Sequence, residues 1–285
     1  MDIWNIARIA DRLEAVDIAI DREATSLARW IWSDILALPL HADVELNPEK
    51  QQLLSSTFER LLNGEPVQYI AGYAWFYGMS FRVNPQVLIP RPETEELVEW
   101  ILADNRTSGK KEIQILDIGT GSGCIAIVLK KRLGEQATVT AIDISEGALE
   151  VAQLNSRQLN SQIDFKLRDV LSFGLSGLGL FDIIVSNPPY ISKEIAGQDI
   201  IHRLKYEPEV ALYPPDHDPD LFYRLISEQA GDSLKPGGSC YLEINEFRTK
   251  EIVGYFNRKV WTKPEVRIDM QGMPRMLKTQ KISGE

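Results

Sequence analysis

The strongest constraint on the fold is an alternation of strand-like and helical segments that begins at Ile113. Strands that alternate with helices along a chain form a parallel sheet covered on both faces, so this part is predicted to be an α/β domain. The predicted strands are Ile113–Ile118, Thr138–Ile142, Ile163–Leu167, Phe181–Val185 and Ser239–Ile244. The predicted helices between them include Ile125–Leu133, Gly147–Leu159 and Leu221–Leu234.

The segments on either side of this alternation follow other patterns. Apolar residues before position 70 recur at helical spacing, and Asn47 and Pro48 mark the start of one helix that Gly64 follows. Aromatic residues around Gly78 predict a hairpin, and residues 263–280 predict an antiparallel strand pair. A turn is expected at Pro236-Gly237-Gly238. We predict a helical bundle over residues 1–72, a hairpin and linker over 73–92, and the α/β domain over 93–285.

Composition narrows the class of protein. The chain has 41 acidic and 31 basic residues, a formal net charge of −10, which argues against a long nucleic-acid footprint and is compatible with a basic protein partner. No run of about 18 apolar residues and no signal-peptide pattern is present, so a cytoplasmic protein without a membrane span is expected. Two cysteines and three scattered histidines predict neither a disulfide framework nor a metal site.

A glycine-rich loop lies between the first predicted strand of the α/β domain and the helix that follows it. Glycine lets the backbone turn sharply and approach a ligand, and the N–H groups at the helix start are expected to face that ligand. Asp143 follows about 20 positions later, at the end of the next strand, where a carboxylate can hold ribose hydroxyls. The pattern fits a dinucleotide as well as other nucleoside cofactors. The candidate cofactor-binding residues here are Gly119, Thr120, Gly121, Ser122, Gly123 and Asp143.

A second motif, Asn187-Pro188-Pro189-Tyr190, follows the predicted strand Phe181–Val185 and so belongs to the same edge of the sheet as the glycine loop. The Asn187 side-chain oxygen and the Pro188 carbonyl can each accept a hydrogen bond from an acceptor NH2 group, while Tyr190 stacks on its plane. This arrangement directs the nitrogen lone pair and favours the positive charge that develops during methylation. The motif therefore predicts an S-adenosylmethionine-dependent methyltransferase that acts on an amide or amino nitrogen.

Together with Arg168-Asp169-Val170, the two motifs resemble class I methyltransferases that act on amino nitrogens. The stretches Gly64–Gly72 and Leu88–Glu95 are similar to those of release factor glutamine methyltransferases, and the similarity covers nearly the whole chain. The resemblance implies a Rossmann-like, mostly parallel sheet of seven strands. It also implies S-adenosyl-L-methionine as cofactor, with S-adenosyl-L-homocysteine as product.

The same resemblance implies the substrate and the residue roles. The acceptor would be the side-chain N5 of the glutamine in the Gly-Gly-Gln motif of class I peptide chain release factors, held partly by the N-terminal helical domain. No membrane and no direct nucleic-acid contact are implied. Gly119–Gly123 would line the methionine part of the cofactor, Asp143 would hold the ribose, and Asp169 and Val170 would lie by the adenine. Asn187 would contact both the cofactor and the substrate. Pro188, Pro189 and Tyr190 would also contact the substrate. The residues with an implied catalytic role are Asn187, Pro188 and Tyr190.

Several alternatives stay open from the residues alone. The acceptor could be a ribosomal-protein glutamine, or an adenine N6 or other nucleic-acid amine, because DNA adenine methyltransferases share Asn-Pro-Pro-Tyr. A non-catalytic cofactor-binding protein and a dehydrogenase are further candidates. Arg91 fits either the pocket or a bend between domains. Three segments depart from the family pattern and leave rim contacts and partner choice open: Tyr213–Pro219, Glu243–Asn245 and Arg275–Lys278.

Overall fold

The structure is a computed structural model that describes residues 3–283 except 17, 20, 106–111, 193–196 and 198–203. The chain divides into two compact units, residues 1–73 and 74–285. Within the described ranges, no helix combines the length and the apolar character that a membrane crossing requires.

The N-terminal unit is a small helical assembly, as its periodicity predicts. Asn47 caps one helix by accepting a hydrogen bond from the Lys50 N–H at 2.8 Å, and Pro48 occupies the first position of that helix. A pair of two-residue antiparallel strands was not predicted, because so short a strand carries no alternation. The helices are α1 (Ile6–Ala15), α2 (Asp21–Trp30, continued by the π-helical turn Ile31–Ile35), α3 (Pro48–Leu62) and α4 (Val67–Ala71), and the strands are β1 (Ile3–Trp4) and β2 (Val44–Glu45).

The predicted hairpin around Gly78 is confirmed. Its strands are β3 (Tyr73–Phe76) and β4 (Met79–Arg82). The intervening Tyr77 and Gly78 both have positive φ, 51° and 72°, which is the backbone geometry of the two-residue turns that match strand twist.

The larger unit contains the predicted sheet of seven strands. Five neighbouring strands are parallel, and two strands pair antiparallel at one edge, as expected for the tail. The strands are β5 (Ile113–Ile118), β6 (Ala137–Asp143), β7 (Asp164–Leu167), β8 (Phe181–Ser186), β9 (Leu234–Glu243), β10 (Glu265–Ile268) and β11 (Pro274–Gln280). Their order across the sheet is β10-β11-β9-β8-β5-β6-β7.

Helices cover both faces of this sheet. Along β5, Ile113 and Ile115 pack into one core and Leu116 and Ile118 into the other, which is the two-residue period of a strand buried on both sides. The helices of the larger unit are α5 (Pro92–Asn105), α6 (Cys124–Leu133), α7 (Glu146–Gln158), α8 (Val170–Phe173), α9 (Glu209–Leu212), α10 (Leu221–Ser233) and α11 (Thr249–Tyr255).

The turn expected at Pro236–Gly238 is wrong in its placement, because these residues lie inside β9. Between the pairs Phe181↔Leu234 and Ile183↔Ser239, β9 advances five residues while β8 advances two. The extra residues form a bulge, which accommodates a proline without an N–H and lets Gly237 adopt a positive φ of 73°.

Candidate active site

Strand register brings the two predicted motifs together. Ile118, the last residue of β5, pairs with Ile142 on one side and with Ser186 on the other. The Ser186 hydroxyl also donates a hydrogen bond to the Ile118 carbonyl at 2.8 Å. The residues that follow these paired ends are the glycine loop, Asp143 and Asn187, so all three leave the carboxyl edge of the sheet side by side, where open α/β sheets bind ligands.

One cavity of about 410 Å³ opens at this edge. It is lined by both loops and by β-strand ends, and its size is within the range of small-molecule sites. Thr120, Ser122, Gly123 and Tyr190 are not among its lining residues, although all four belong to the predicted site. The predicted residues that do line the cavity are Gly119, Gly121, Asp143, Asp169, Val170, Asn187, Pro188 and Pro189.

The amides of the glycine loop are largely used inside the protein. The Gly119 and Thr120 N–H groups donate to the Ile142 carbonyl at 2.9 and 3.0 Å, and the Gly123 N–H donates to the Thr120 carbonyl at 2.8 Å. The Gly121 N–H donates to the Asp143 carboxylate at 2.8 Å. These four loop amides are therefore already bonded within the protein, whereas the helix-start N–H groups of the prediction belong to α6, which begins at Cys124. The loop lines the cavity through Gly119 and Gly121.

Gly121 and Gly123 provide a matched test of the loop geometry. Both have positive φ, but a Cβ at Gly121 would meet no atom within 4 Å, whereas one at Gly123 would lie 3.1 Å from the Ala152 Cβ and the Ile127 side chain. Gly121→Ala should cost about 1–2 kcal/mol of unfolding free energy, the usual penalty of a left-handed backbone for a residue with a Cβ. Gly123→Ala should cost at least about 1 kcal/mol more, from crowding. Urea unfolding of both variants measures the difference, and equal losses would contradict the packing role of Gly123.

A fully buried carboxyl lies behind the loop. Asp117 accepts a hydrogen bond from the Thr120 hydroxyl at 2.6 Å, and burial raises its pKa from 3.8 to about 7. At pH values between these two pKa values, Asp117 is protonated in the folded protein but ionised in the unfolded chain.

The free energy of unfolding should consequently fall as pH rises from about 4 to about 7, by up to about 1.4 kcal/mol per pH unit from this group. Asp117→Asn cannot ionise, so its melting temperature should depend less on pH over this window than that of the unchanged protein. Thermal unfolding at several pH values checks this, with Asp164→Asn, at a half-exposed carboxylate, as the control. Superimposable pH profiles for Asp117→Asn and the unchanged protein would contradict it.

Two further acidic residues on the cavity wall are held by backbone amides. Asp143 accepts from Gly121 through one oxygen and from the Ser145 N–H, at 2.9 Å, through the other, and burial raises its pKa. Asp169 caps α8 by accepting from the Leu171 N–H at 2.9 Å, and its hydrogen bond from Ser172 lowers its pKa. Both carboxylates are thus fixed in direction before any ligand is bound.

Asn187 and Tyr190 are connected through two residues that the sequence analysis did not assign to the site, Thr94 and Glu243. Its side-chain N–H donates to the Thr94 hydroxyl oxygen at 3.2 Å, and the Thr94 O–H donates to Glu243 at 2.6 Å. The Tyr190 hydroxyl donates to the other Glu243 oxygen at 3.1 Å. We call Asn187, Thr94, Glu243 and Tyr190 the Glu243 network; no local signal could reveal it, because its members come from α5, the turn after β8 and the end of β9.

Arg91 contacts a buried acidic side chain. It forms an ion pair with Glu207, a buried side chain that also accepts a hydrogen bond from the Ile89 N–H at 3.0 Å. This contact fixes the extended stretch that follows Val87 and Leu88, two residues of the cavity wall. Arg91 itself does not line the cavity.

The atypical segment at 213–217 forms another part of the cavity wall. Asp216 and His217 both have a φ of 55°, which is uncommon outside glycine. The charged residues that line the cavity are mainly acidic. Arg168 is basic, and the acidic ones are Asp143, Asp169, Glu209 and Asp216. The Arg168 guanidinium donates hydrogen bonds to three backbone carbonyls, that of Phe173 at the end of α8 and those of Gly174 and Ser176 after it. Within the described ranges, no three His, Cys, Asp or Glu side chains are grouped as metal ligands would be.

Comparison with known proteins adds two family models. Residues 96–216 match the methyltransferase small domain, and residues 6–72 match the PrmC N-terminal domain. A 16S rRNA methyltransferase from Thermus thermophilus, solved with AdoMet and guanosine, shares the fold with a TM-score of 0.54 at 20% identity, over 73% of this chain and 49% of that one. A methyltransferase from Pyrococcus furiosus gives a TM-score of 0.53 at 20% identity, over 80% and 99%.

Sequence relatives are closer. The release factor glutamine methyltransferase of Bacteroides thetaiotaomicron is 43% identical over 92% of this chain and 94% of its own length. That of Lactococcus lactis is 38% identical over 93% and 98%. The predicted class I methyltransferase fold is confirmed, and the chain belongs to the release factor glutamine methyltransferase family.

Proposed function

We propose that this enzyme uses S-adenosyl-L-methionine to methylate the side-chain N5 of the glutamine in the Gly-Gly-Gln motif of class I peptide chain release factors. The observation that carries the proposal is that Gly119, Gly121 and Asp143 line the same cavity as Asn187 and Pro188. A donor seated on the first group of residues would meet an acceptor seated on the second.

The chemistry of the cavity wall fits a cationic cofactor. A dinucleotide requires free N–H groups for its pyrophosphate, and four amides of the glycine loop are already bonded within the protein. The acidic wall disfavours an anion and favours a positive charge. S-adenosyl-L-methionine carries its methyl group on a positively charged sulfur, which makes that methyl electrophilic. Asp143 would hold the ribose hydroxyls, and Asp169 and Val170 would lie by the adenine.

Asn187 and Pro188 would hold the acceptor. An amide nitrogen is a weak nucleophile because its lone pair is delocalised into the carbonyl. When the Asn187 side-chain oxygen and the Pro188 carbonyl accept its two N–H groups, its lone pair is fixed in direction and the positive charge that develops on it is stabilised. Pro189 would pack against the glutamine side chain. Tyr190 lies outside the cavity lining, packs partly against the core and holds Glu243, so its assigned contact with the acceptor remains a prediction.

The match of residues 6–72 to the PrmC N-terminal domain supports a role for the N-terminal unit in holding the protein substrate. The net charge of −10 favours a basic protein partner over nucleic acid.

The proposal is tested with methyl-labelled S-adenosyl-L-methionine and three acceptors: a class I release factor, the same factor with its Gly-Gly-Gln glutamine replaced by alanine, and duplex DNA. We expect label on the first acceptor alone. Label on the alanine variant would place the methyl elsewhere in the factor, and label on DNA alone would favour the nucleic-acid alternative.

A further inference from the structure

The Asn187 amide can present either of two groups to the cavity. Its oxygen and its NH2 group have nearly the same size and shape, so sterics do not decide between the two orientations, and hydrogen-bond partners must. Only the orientation with the oxygen toward the acceptor can receive the N–H of a glutamine amide. The reverse orientation would set one NH2 group against another.

The Glu243 network decides the orientation by its polarity. Glu243 receives the hydroxyl protons of both Thr94 and Tyr190, one on each oxygen, as an ionised carboxylate does because it only accepts hydrogen bonds. Burial raises the pKa of Glu243, and these two hydrogen bonds oppose the rise. The single proton of the Thr94 hydroxyl is thereby used. Thr94 can offer Asn187 only a lone pair, so the Asn187 NH2 group must turn toward it, as the 3.2 Å contact records.

Burial makes this arrangement hard to replace with water. Thr94 is 3% exposed and Glu243 is 2% exposed, so a partner lost from either side chain leaves a buried polar group unsatisfied. Helix α5 begins at Pro92, which places Thr94 in its first turn, and Glu243 is the last residue of β9. Two rigid elements, rather than loops, therefore hold Thr94 and Glu243, the two middle members of the network.

We propose that Thr94 and Glu243 are positioning residues that hold the Asn187 oxygen toward the acceptor and so restrict the enzyme to acceptors that donate N–H hydrogen bonds. The inference rests on the proposed function of Asn187. It adds to that function two residues that do not line the cavity, and it states which end of the Asn187 amide faces the acceptor.

Thr94→Val is the decisive variant, because it keeps the branched shape and removes the hydroxyl. A hydrogen bond of ordinary strength biases two orientations roughly tenfold, so without it the two become about equally populated and kcat with the release factor should fall about twofold or more. Its KM and the affinity for S-adenosyl-L-homocysteine should stay close to those of the unchanged protein, because Thr94 does not line the cavity. Thr94→Ser restores the hydroxyl and should recover most of the lost kcat. Unchanged kcat in Thr94→Val, or equal losses in both variants, would overturn the inference.

A second readout needs no acceptor. The NMR signal of the Asn187 side-chain NH2 group can be assigned by its loss in Asn187→Ala. The hydrogens of this group should exchange slowly with solvent in the unchanged protein. In Thr94→Val they should exchange at least about tenfold faster, because an ordinary hydrogen bond is lost. Tyr190→Phe keeps the contact between Asn187 and Thr94 and should leave the exchange rate unchanged. If the unchanged enzyme does not methylate the release factor, the proposed function fails, and this exchange experiment decides the orientation alone: equal exchange in Thr94→Val and the unchanged protein would overturn it.

Discussion

Asn187→Ala should lower kcat with a release factor by on the order of 10²–10³-fold, the usual effect of removing one preorganised group that stabilises a transition state. The variant loses the oxygen that fixes the acceptor nitrogen, but it keeps the other residues assigned to the cofactor, including the glycine loop, Asp143, Asp169 and Val170. Affinity for S-adenosyl-L-homocysteine, measured by calorimetry, should consequently stay within a few-fold of the unchanged protein, since no hydrogen bond to the ribose is lost.

Asn245→Ala is the matched control for this prediction. Asn245 follows β9 at the same edge of the sheet, where its side-chain N–H donates to the Tyr190 carbonyl at 3.3 Å, but it does not line the cavity. Its loss removes two ordinary hydrogen bonds outside the cavity, the one to Tyr190 and the one that it accepts from the Phe247 N–H at 3.0 Å, and should change kcat by no more than a few-fold. Turnover by Asn187→Ala comparable to that of the control would remove Asn187 from the mechanism.

Asp143→Ala should mainly weaken cofactor binding. A charged carboxylate that accepts two ribose hydroxyls contributes about 1.5–3 kcal/mol per hydrogen bond, so the dissociation constant should rise by about 10²-fold or more. The change also frees the amides of Gly121 and Ser145, which loosens the glycine loop and acts in the same direction. Titration calorimetry with S-adenosyl-L-homocysteine measures the effect.

The loss of negative charge alone is controlled by Glu146→Ala. Glu146 is an exposed acidic residue in the first turn of α7, three positions along the chain and outside the cavity wall. Its removal should alter the dissociation constant less than about threefold, because exposed charges are screened by solvent. If both variants bound the cofactor as the unchanged protein does, Asp143 would not be its ribose ligand.

The placement of the two motifs at one edge was predictable from sequence, because each follows a strand whose end is visible as an apolar run. Parallel strands bring their carboxyl ends to the same edge, and the pairing of Ile118 with both Ile142 and Ser186 meets that expectation. The helical cap at Asn47 and the tight turn at Gly78 were likewise predictable, because each depends on the conformational preference of one or two residues.

The supporting contacts were not predictable from sequence. Glu243 lies 149 residues from Thr94, and Glu207 lies 116 residues from Arg91, so these pairs exist only once the tertiary fold has formed. The internal bonding of the glycine-loop amides was not predictable either, because the glycine spacing indicates a close approach to a ligand but not that residues of β6 accept three of these N–H groups. The bulge in β9 was missed because proline and glycine indicate a turn more often than an irregular strand.

The central claim is that one cavity presents an amide nitrogen to a methyl donor. It is tested most directly by treating a class I release factor with the enzyme and S-adenosyl-L-methionine that carries a deuterated methyl group, and then locating the label by tandem mass spectrometry. We predict a single methyl group on the side-chain nitrogen of the glutamine in the Gly-Gly-Gln motif. A methyl group on any other residue of the factor, or a factor left unmodified by enzyme that binds the cofactor, would contradict the claim.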